Sequence, residues 1–275
     1  MAGEIWPTFW WCDQLREMTR SVHGVIDGGA DCSWCRHLPG AGWCPLGDGV
    51  AMGEVLVTGA TGGIGSALVP ALVSAGHRVI AVGRDVEGLQ SLAARTIVAD
   101  LAQVDQLAGT IGKLAALDAL VHCAAVSEVA AVADAPPATW QHTLSVNVAA
   151  AAELTRLALS ALRRSHGHVV FVNAAPGLRA VSRWSAFVAS KAALRELADS
   201  LRDEEAVHGV RVTTVYPAGT ATERLRRTRA AFGRPYDPGR CIQPATLAAM
   251  IVWVLAAPAD AYVSELAVLP APRPR

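Results

Sequence analysis

The sequence has no net charge, because 24 lysine and arginine residues balance 24 aspartate and glutamate residues. A chain without a strong field of one sign has little to attract nucleic acid or an anionic membrane surface. Long hydrophobic runs are also missing, since the most apolar stretch, Leu247 to Ala257, is too short to span a bilayer. That stretch predicts a helix that is buried or lies at a subunit interface. We therefore expect a small-molecule partner, and neither nucleic acid nor a membrane.

The N-terminus lacks the basic start and the continuous apolar run of a secretory signal, which predicts a cytoplasmic location. Cysteine is scarce beyond Met52, where only Cys123 and Cys241 occur. The first 51 residues hold the other four cysteines and five of the eight tryptophans, and they show no helical or strand period. Residues 1–51 are therefore predicted to be an extension, separate from a single domain over residues 52–275.

Two interpretations of this extension stay open. Paired thiolates two residues apart can chelate one metal ion, which would make a zinc or iron-sulfur site. The candidate ligands are Cys12, Cys32, Cys35, Cys44 and His37. The alternative is a poorly ordered extension, or translated upstream sequence before a natural start at Met52. The irregular spacings favour this alternative, and we predict no metal site.

From Glu54 onward, short β-branched runs alternate with longer helical patterns, which predicts parallel strands joined by crossover helices. Apolar residues at helical intervals predict long helices over 139–163 and 184–207, whose faces can also serve a dimer contact. Seven strands are predicted, over 54–58, 78–82, 95–99, 118–122, 168–173, 210–216 and 262–269. The predicted fold is α/β, a doubly wound parallel sheet of the Rossmann type.

The stretch VLVTGATGGIGSAL, residues 55–68, runs from a predicted strand through a glycine-rich turn into a helix. Gly59 permits the tight turn, while Gly63 and Gly65 let the backbone and the helix approach a pyrophosphate. The helix N-terminus adds N–H groups and partial positive charge. This setting predicts a dinucleotide site rather than a tight turn without a ligand.

The end of the second strand indicates which dinucleotide binds. An acidic side chain there would bind the ribose 2′-hydroxyl of NAD, whereas Gly83 and Arg84 offer space and a guanidinium for a 2′-phosphate. We therefore predict NADP rather than NAD. Asp85, one position later, is interpreted as a helix start.

Further motifs follow the predicted strands. They are Asp100-Leu101, HCAAV after the fourth strand, Asn147 in the long helix, FVNAAPG, FVASK and YPAGTAT. With TGATGGIG, they make the chain resemble the short-chain dehydrogenase/reductase family over residues 54–269. Gly59, Gly63 and Gly65 fit the glycine pattern of the family's single-domain branch, whereas Gly59, Gly62 and Gly65 fit that of its longer, extended branch. The chain length favours the single-domain branch.

The resemblance implies a role for each matching position. Asp100 would contact adenine, Lys191 would hold the nicotinamide ribose, and Asn147 would organise a water relay. The implied cofactor-binding residues are Gly59, Thr61, Gly62, Gly63, Ile64, Gly65, Arg84, Asp100, Leu101, Ala124, Ala125, Lys191, Pro217, Thr220 and Thr222. A homodimer or homotetramer is also implied.

The chain departs from the family pattern at the chemical step. Phe187 occupies the position of the family's tyrosine acid, and Ala174 or Asn173 occupies that of the serine that orients the substrate carbonyl. Ala218 replaces the glycine that usually follows Pro217. Losing a positioned general acid costs roughly 10²–10⁴ in rate, and losing an oxyanion donor costs about 3–4 kcal/mol. A proton source is therefore missing.

Three replacements for that proton source stay open. Tyr216 would approach the pocket as a proton donor, or would instead serve packing or capping at the end of its strand. Ser185 or Asn173 would hydrogen-bond a substrate carbonyl without being a good acid. The substrate would otherwise supply its own donor, such as a phenol beside a quinone-like or aryl ketone, or form a stabilised enolate. Substrate-assisted reduction fits both losses best. His122 is interpreted as a structural residue rather than an acid.

Residues 220–240 carry six arginines, and the same segment contains Glu223 and Asp237. This pattern would form a mobile lid that attracts an acidic or phosphorylated substrate. The alternative, which the spacing favours, is the solvated face of a short helix.

The sequence predicts an NADP-dependent, ketoreductase-like oxidoreductase. It would act on a small carbonyl, hydroxyl or quinone-like substrate by hydride transfer without the tyrosine acid. The alternative is a catalytically impaired NAD(P)-binding regulator or structural partner subunit. An enzyme requires that Phe187 and Ala174 line an open apolar pocket, whereas a regulator would tolerate that space being filled.

Overall fold

The computed structural model describes residues 53–175, 177–258 and 260–272 of the chain. The extension over residues 1–51 lies outside these ranges, so its two interpretations and its cysteine site stay predictions. Within the described residues, none of the helices is both long and apolar enough to cross a membrane.

The core of the fold is one parallel sheet of seven strands, in the spatial order β3-β2-β1-β4-β5-β6-β7. Its strands are β1 Glu54–Thr58, β2 Arg78–Gly83, β3 Arg95–Val98, β4 Ala119–His122, β5 His168–Val172, β6 Arg211–Pro217 and β7 Glu265–Val268. This confirms the predicted doubly wound α/β fold. The chain direction across the sheet reverses between β1 and β4, and ligands bind at such a switch point in this class of fold.

Eight α-helices occur within the described ranges. They are α1 Gly65–Ser74, α2 Val86–Gln90, α3 Leu107–Ile111, α4 Pro137–Leu144, α5 Ala150–Ser165, α6 Ser185–Glu205, α7 Glu223–Ala231 and α8 Pro244–Leu255. The single helix predicted over 139–163 is divided, because a π-helical turn, Ser145–Ala149, separates α4 from α5. Such turns often occur at functional sites, and this one contains Asn147.

Hydrophobic side chains cover both faces of the sheet. Leu120 and Phe171 belong to the cluster under α5 and α6, while Val121 and Val170 belong to the cluster under α1 and α8. Because alternate residues of a strand point to opposite faces, a strand buried on both sides must be apolar throughout. This explains the continuous apolar runs of the central strands.

The edges of the sheet depart most from prediction. The strand predicted over 262–269 is shorter, since among the described residues β7 pairs with β6 alone, over the register Thr214↔Glu265 to Pro217↔Val268. Helix α8, predicted to be buried or at an interface, buries Ile251 and Val254 but leaves Trp253 44% exposed.

Candidate functional site

A cleft of about 300 Å³ lies at the carboxyl ends of β1, β2 and β4. It brings together most of the residues predicted from the sequence to bind a cofactor. These are Gly59, Thr61, Gly62, Gly63, Ile64, Gly65, Arg84, Asp100, Leu101, Ala124, Ala125 and Thr222. The remaining three, Lys191, Pro217 and Thr220, line neighbouring cavities.

The glycine loop is closely packed where the sequence carries glycine. Gly59 has φ +65°, and a β-carbon there would lie 2.7 Å from Cα of Ala124. A β-carbon at Gly65 would lie 2.2 Å from the carbonyl oxygen of Gly59. Both approaches are to backbone atoms, so only glycine fits without a shift of the loop.

The second glycine of the motif is Gly63 rather than Gly62 on packing grounds. A β-carbon at Gly63 would lie 2.5 Å from Cγ2 of Thr222, whereas at Gly62 the nearest atom is the carbonyl oxygen of Gly59 at 3.1 Å. Thr222 begins α7 as its N-cap, so the approach to Gly63 brings that helix onto the glycine loop. This spacing is that of the single-domain pattern.

The adenosine end of the cleft carries both charges predicted there. Arg84 Nη1 lies 3.9 Å from Asp100 Oδ1, and both side chains are largely exposed. Asp100 also accepts a hydrogen bond from the Ala102 N–H at 3.0 Å. Asp85 caps α2 by accepting from the Gly88 N–H at 3.1 Å, in agreement with its interpretation as a helix start.

A second cavity of about 300 Å³ adjoins the cleft, because Ile64, Thr222 and Arg224 line both. Phe187 and Ala174 line this cavity, so the space beside them is open. Trp184 stacks on Phe187 with ring centroids 4.4 Å apart, and its indole N–H donates to Ser127 Oγ at 2.9 Å. The cavity therefore has an aromatic wall beside a serine hydroxyl.

Lys191 lies buried behind Phe187. Its Nζ donates to the carbonyl oxygen of Val172 at 3.0 Å and lies 5.9 Å from the Phe187 ring centroid. Burial, with a smaller contribution from the nearby Arg224 charge, lowers the pKa of Lys191 to about 7.

This lowered pKa predicts a pH-dependent stability. Between about pH 7 and the pKa of an unfolded lysine, near 10.4, the unfolded chain holds a proton that the folded chain lacks. We therefore expect the free energy of unfolding to rise with pH from 7 to 8.5, with a contribution from Lys191 of up to about 1.4 kcal/mol per pH unit. Urea titrations of the wild type and Lys191→Met across this range test it. Parallel pH profiles would contradict the prediction.

Asn147 joins three parts of the site. Its Oδ1 accepts from the Val126 N–H at 2.8 Å, and its Nδ2 donates to the Val126 carbonyl at 3.0 Å and to Ser190 Oγ at 2.9 Å. The π-helical turn thus holds the loop after β4 against α6. The water relay that the resemblance implies for Asn147 stays a prediction.

The two residues at the serine position differ in their surroundings. Asn173 is buried, with Nδ2 donating to the Lys191 carbonyl at 3.1 Å and Oδ1 accepting from the Ala174 N–H at 2.9 Å. Its amide is therefore engaged with the backbone. Ala174 has no polar side-chain atom to offer a substrate.

Tyr216 lines a third cavity, with Lys191 and Ala174 but without Phe187. Its hydroxyl donates to Glu265 Oε1 at 3.1 Å, and burial, followed by that hydrogen bond, raises its pKa to about 12. This arrangement favours the packing role that the sequence left open.

His122 is buried at the end of β4. Its Nε2 lies 3.0 Å from Thr155 Oγ1, and its ring stacks on Phe171 with centroids 4.9 Å apart. Burial lowers its pKa to about 3, so it is neutral at physiological pH. The geometry supports a structural role.

The arginine side chains of residues 220–240 fall into two groups, one exposed to solvent and one lining the candidate site. Arg226 and Arg227 pair with Glu223 at 2.6 and 2.7 Å on the exposed side of α7. Arg224 and Arg229 instead line the second cavity. Sequence reasoning missed this division, as well as Ser127 and the stacking of Trp184. The helical repeat contains part of the signal, because Arg226 and Arg227 lie three and four residues after Glu223 and therefore share a helix face with it.

Comparison with known proteins identifies the family. A model of the short chain dehydrogenase family matches residues 54–232, more than half of the chain. A protein of Sinorhizobium fredii named as a short-chain type dehydrogenase/reductase is 31% identical over 78% of this chain and 90% of its own. The glycine betaine reductase of Emericella nidulans is 29% identical over 88% of this chain, which spans 21% of that longer protein.

Solved structures give the same assignment. A short chain dehydrogenase from Shigella flexneri, crystallised with NADP, superposes with a TM-score of 0.68 at 28% identity, over 78% of this chain and 95% of its own. The glycine loop, the strand order and the family match agree. The chain belongs to the short-chain dehydrogenase family.

Proposed function

We propose that the protein is an NADP-dependent, ketoreductase-like oxidoreductase that acts on a small carbonyl, hydroxyl or quinone-like substrate without a tyrosine acid. One observation carries this proposal. The cavity beside Phe187 and Ala174 is open and adjoins the glycine-loop cleft through Ile64, Thr222 and Arg224. A substrate there would lie beside a bound dinucleotide.

The residues present fit NADP. The loop positions at which a β-carbon would meet backbone are glycines, as a closely approaching pyrophosphate requires. Arg84 follows Gly83 at the cleft and would hold the 2′-phosphate, and the Shigella relative was crystallised with NADP. When bound, reduced NADP would supply the hydride for a carbonyl carbon.

The chain's own residues would bind and orient the substrate. The stacked rings of Trp184 and Phe187 offer a flat apolar wall that suits a planar substrate and excludes water. Ser127 Oγ accepts the indole N–H, which leaves its own hydrogen for a substrate oxygen. We assign the proton itself to the substrate, because no tyrosine lines this cavity among the described residues.

The Arg84 site gives the first test. We expect Arg84→Ala to weaken NADPH binding about 10- to 100-fold, by loss of charge-assisted hydrogen bonds, and to leave NADH binding unchanged. Fluorescence titration with both nucleotides measures this. Arg95→Ala is the matched control, because Arg95 begins β3 and lies at the amino ends of the strands, away from the cleft at their carboxyl ends. Equal loss for both nucleotides would contradict the 2′-phosphate assignment.

Turnover then tests the catalytic proposal. NADPH consumption should be detectable with phenolic aryl ketones and quinone-like carbonyls, and much slower with ketones that carry no internal donor. Failure to bind either nucleotide would overturn the oxidoreductase proposal.

The rival function is a catalytically impaired NAD(P)-binding regulator or a structural partner subunit. Phe187 and Ala174 favour it, since both usual polar groups are absent. NADPH binding without turnover of either carbonyl class would support this rival.

The proposal also covers the oligomeric state of the protein. We propose a homodimer or homotetramer, which exposed Trp253 and Met250 of α8 support. The cytoplasmic location and the separate extension before residue 52 stay predictions.

A further inference from the structure

We propose that the second cavity is built for a planar substrate bearing a carboxylate, with Arg224 and Arg229 holding the anionic group. This inference rests on the proposed function, because it names the substrate class of that site.

The charges lining the cavity have one sign. Arg224, Arg229 and Arg234 line it, and among the described residues no aspartate or glutamate does. The protein as a whole is electrically neutral, so this is a local concentration of positive charge. A recess lined by charge of one sign attracts ligands of the opposite sign.

The same arginines lack acidic partners within the described part of the chain. Arg224 Nη1 donates to the Ala125 carbonyl at 3.4 Å, and Arg229 Nη1 donates to the Pro235 carbonyl at 3.0 Å. Glu223, the carboxylate of α7, is occupied by Arg226 and Arg227 on the exposed side. The cavity-facing cations therefore keep most of their donors for another acceptor.

Arg224 is the one of these three arginines that lines both the glycine-loop cleft and the second cavity. It is partly buried, and burial lowers its pKa while leaving the guanidinium charged. Lys191 lies near enough for Arg224 to lower the lysine pKa as well. A partly buried guanidinium without a carboxylate partner among the described residues is costly in a free protein, and a bound anion offsets that cost.

The apolar wall defines the rest of the ligand. Trp184 stacks on Phe187 and meets Phe232 edge-on with centroids 5.8 Å apart, and the Arg234 guanidinium lies 5.5 Å from the Phe232 ring centroid. Such a wall accepts an aromatic ring. The cavity of about 300 Å³ is shared with the predicted cofactor-binding residues Pro217, Thr220 and Thr222, so beside a bound nucleotide it suits a compound of one ring. A guanidinium binds a carboxylate through paired hydrogen bonds.

Calorimetry with two probes of the same shape tests the inference. The full-length protein, saturated with NADP⁺, is titrated with 4-acetylbenzoate and with 4-acetylbenzamide. We expect the carboxylate to bind about 10- to 100-fold more tightly, the range for charge-assisted hydrogen bonds. Equal affinities would overturn the inference.

Variants identify the residues responsible. Arg224→Gln and Arg229→Gln should each reduce the preference for the carboxylate, and Arg229→Lys should retain part of it. Arg226→Gln and Arg227→Gln are matched controls on the exposed side of the same helix, and they should leave the preference unchanged. Thermal unfolding confirms that each variant is folded.

Two outcomes separate this inference from the proposed function. If the Arg224→Gln variant binds NADP⁺ more weakly but still prefers the carboxylate probe, Arg224 does not hold the substrate carboxylate. Where NADP⁺ fails to bind at all, the proposed function fails. The two probes titrated without nucleotide then still decide the inference, and a retained preference for the carboxylate supports it.

Discussion

Phe187→Tyr is expected to raise kcat/KM for a simple ketone about 100-fold. The substitution restores a hydroxyl group on a ring that lines the open second cavity. Lys191 Nζ lies 5.9 Å from the centroid of that ring, close enough for its charge, which is present below about pH 7, to favour the ionised hydroxyl. A positioned general acid contributes roughly 10²–10⁴ in rate, and the lower end is expected because the serine is still absent.

Adding Ala174→Ser to Phe187→Tyr should give a further gain. Removal of an oxyanion donor in other enzymes costs roughly 10²–10³ in rate, and Ala174 lines the same cavity as Phe187. The gain of the double variant over the wild type should therefore exceed the product of the gains of the two single variants, since the two groups act on one carbonyl oxygen.

The control is Phe187→Leu, which changes the ring without adding a hydroxyl group. Steady-state NADPH consumption with a simple ketone measures all variants, after titration has shown that NADPH affinity is retained. A gain in Phe187→Leu equal to that in Phe187→Tyr would indicate a larger cavity rather than an acid. No gain in any variant would mean that the pocket no longer holds a carbonyl in the reactive position.

The fold was predictable because its signals are local and periodic. Residues 54–58 are predicted as a strand with the bounds that β1 has, since a strand buried on both faces must be apolar throughout. The glycine loop was predictable for a related reason, because its backbone approaches require residues without a side chain. At the sheet edge, β7 has one neighbouring strand within the described ranges, and its bounds were predicted less well.

The candidate site was only partly predictable, because it depends on which way side chains point. The sequence shows six arginines in residues 220–240, but it does not show that Arg224 and Arg229 line a cavity with Phe187 and Ala174. Asn173 was equally ambiguous, since its amide is engaged by the Lys191 and Ala174 backbone. These arrangements arise from tertiary packing between distant segments, for which a linear pattern has no signal.

Gly65→Ala is expected to weaken NADPH binding by about 100-fold or more. The new β-carbon would lie 2.2 Å from the Gly59 carbonyl oxygen, so the loop must move. That movement displaces the N–H groups at the start of α1, where a pyrophosphate would bind. Losing two charge-assisted hydrogen bonds of about 1.5 kcal/mol each accounts for a factor of this size.

Gly62→Ala is the matched control within the same loop. Its β-carbon would meet one atom, at 3.1 Å, so we expect a loss of affinity below about 10-fold, from strain of roughly 1 kcal/mol or less. Fluorescence titration gives both affinities, and circular dichroism checks that each variant retains its helices and sheet. Gly65→Ala with wild-type NADPH affinity would show that phosphates bind elsewhere. A folded Gly65→Ala variant that loses the nucleotide would instead locate the phosphates at the start of α1.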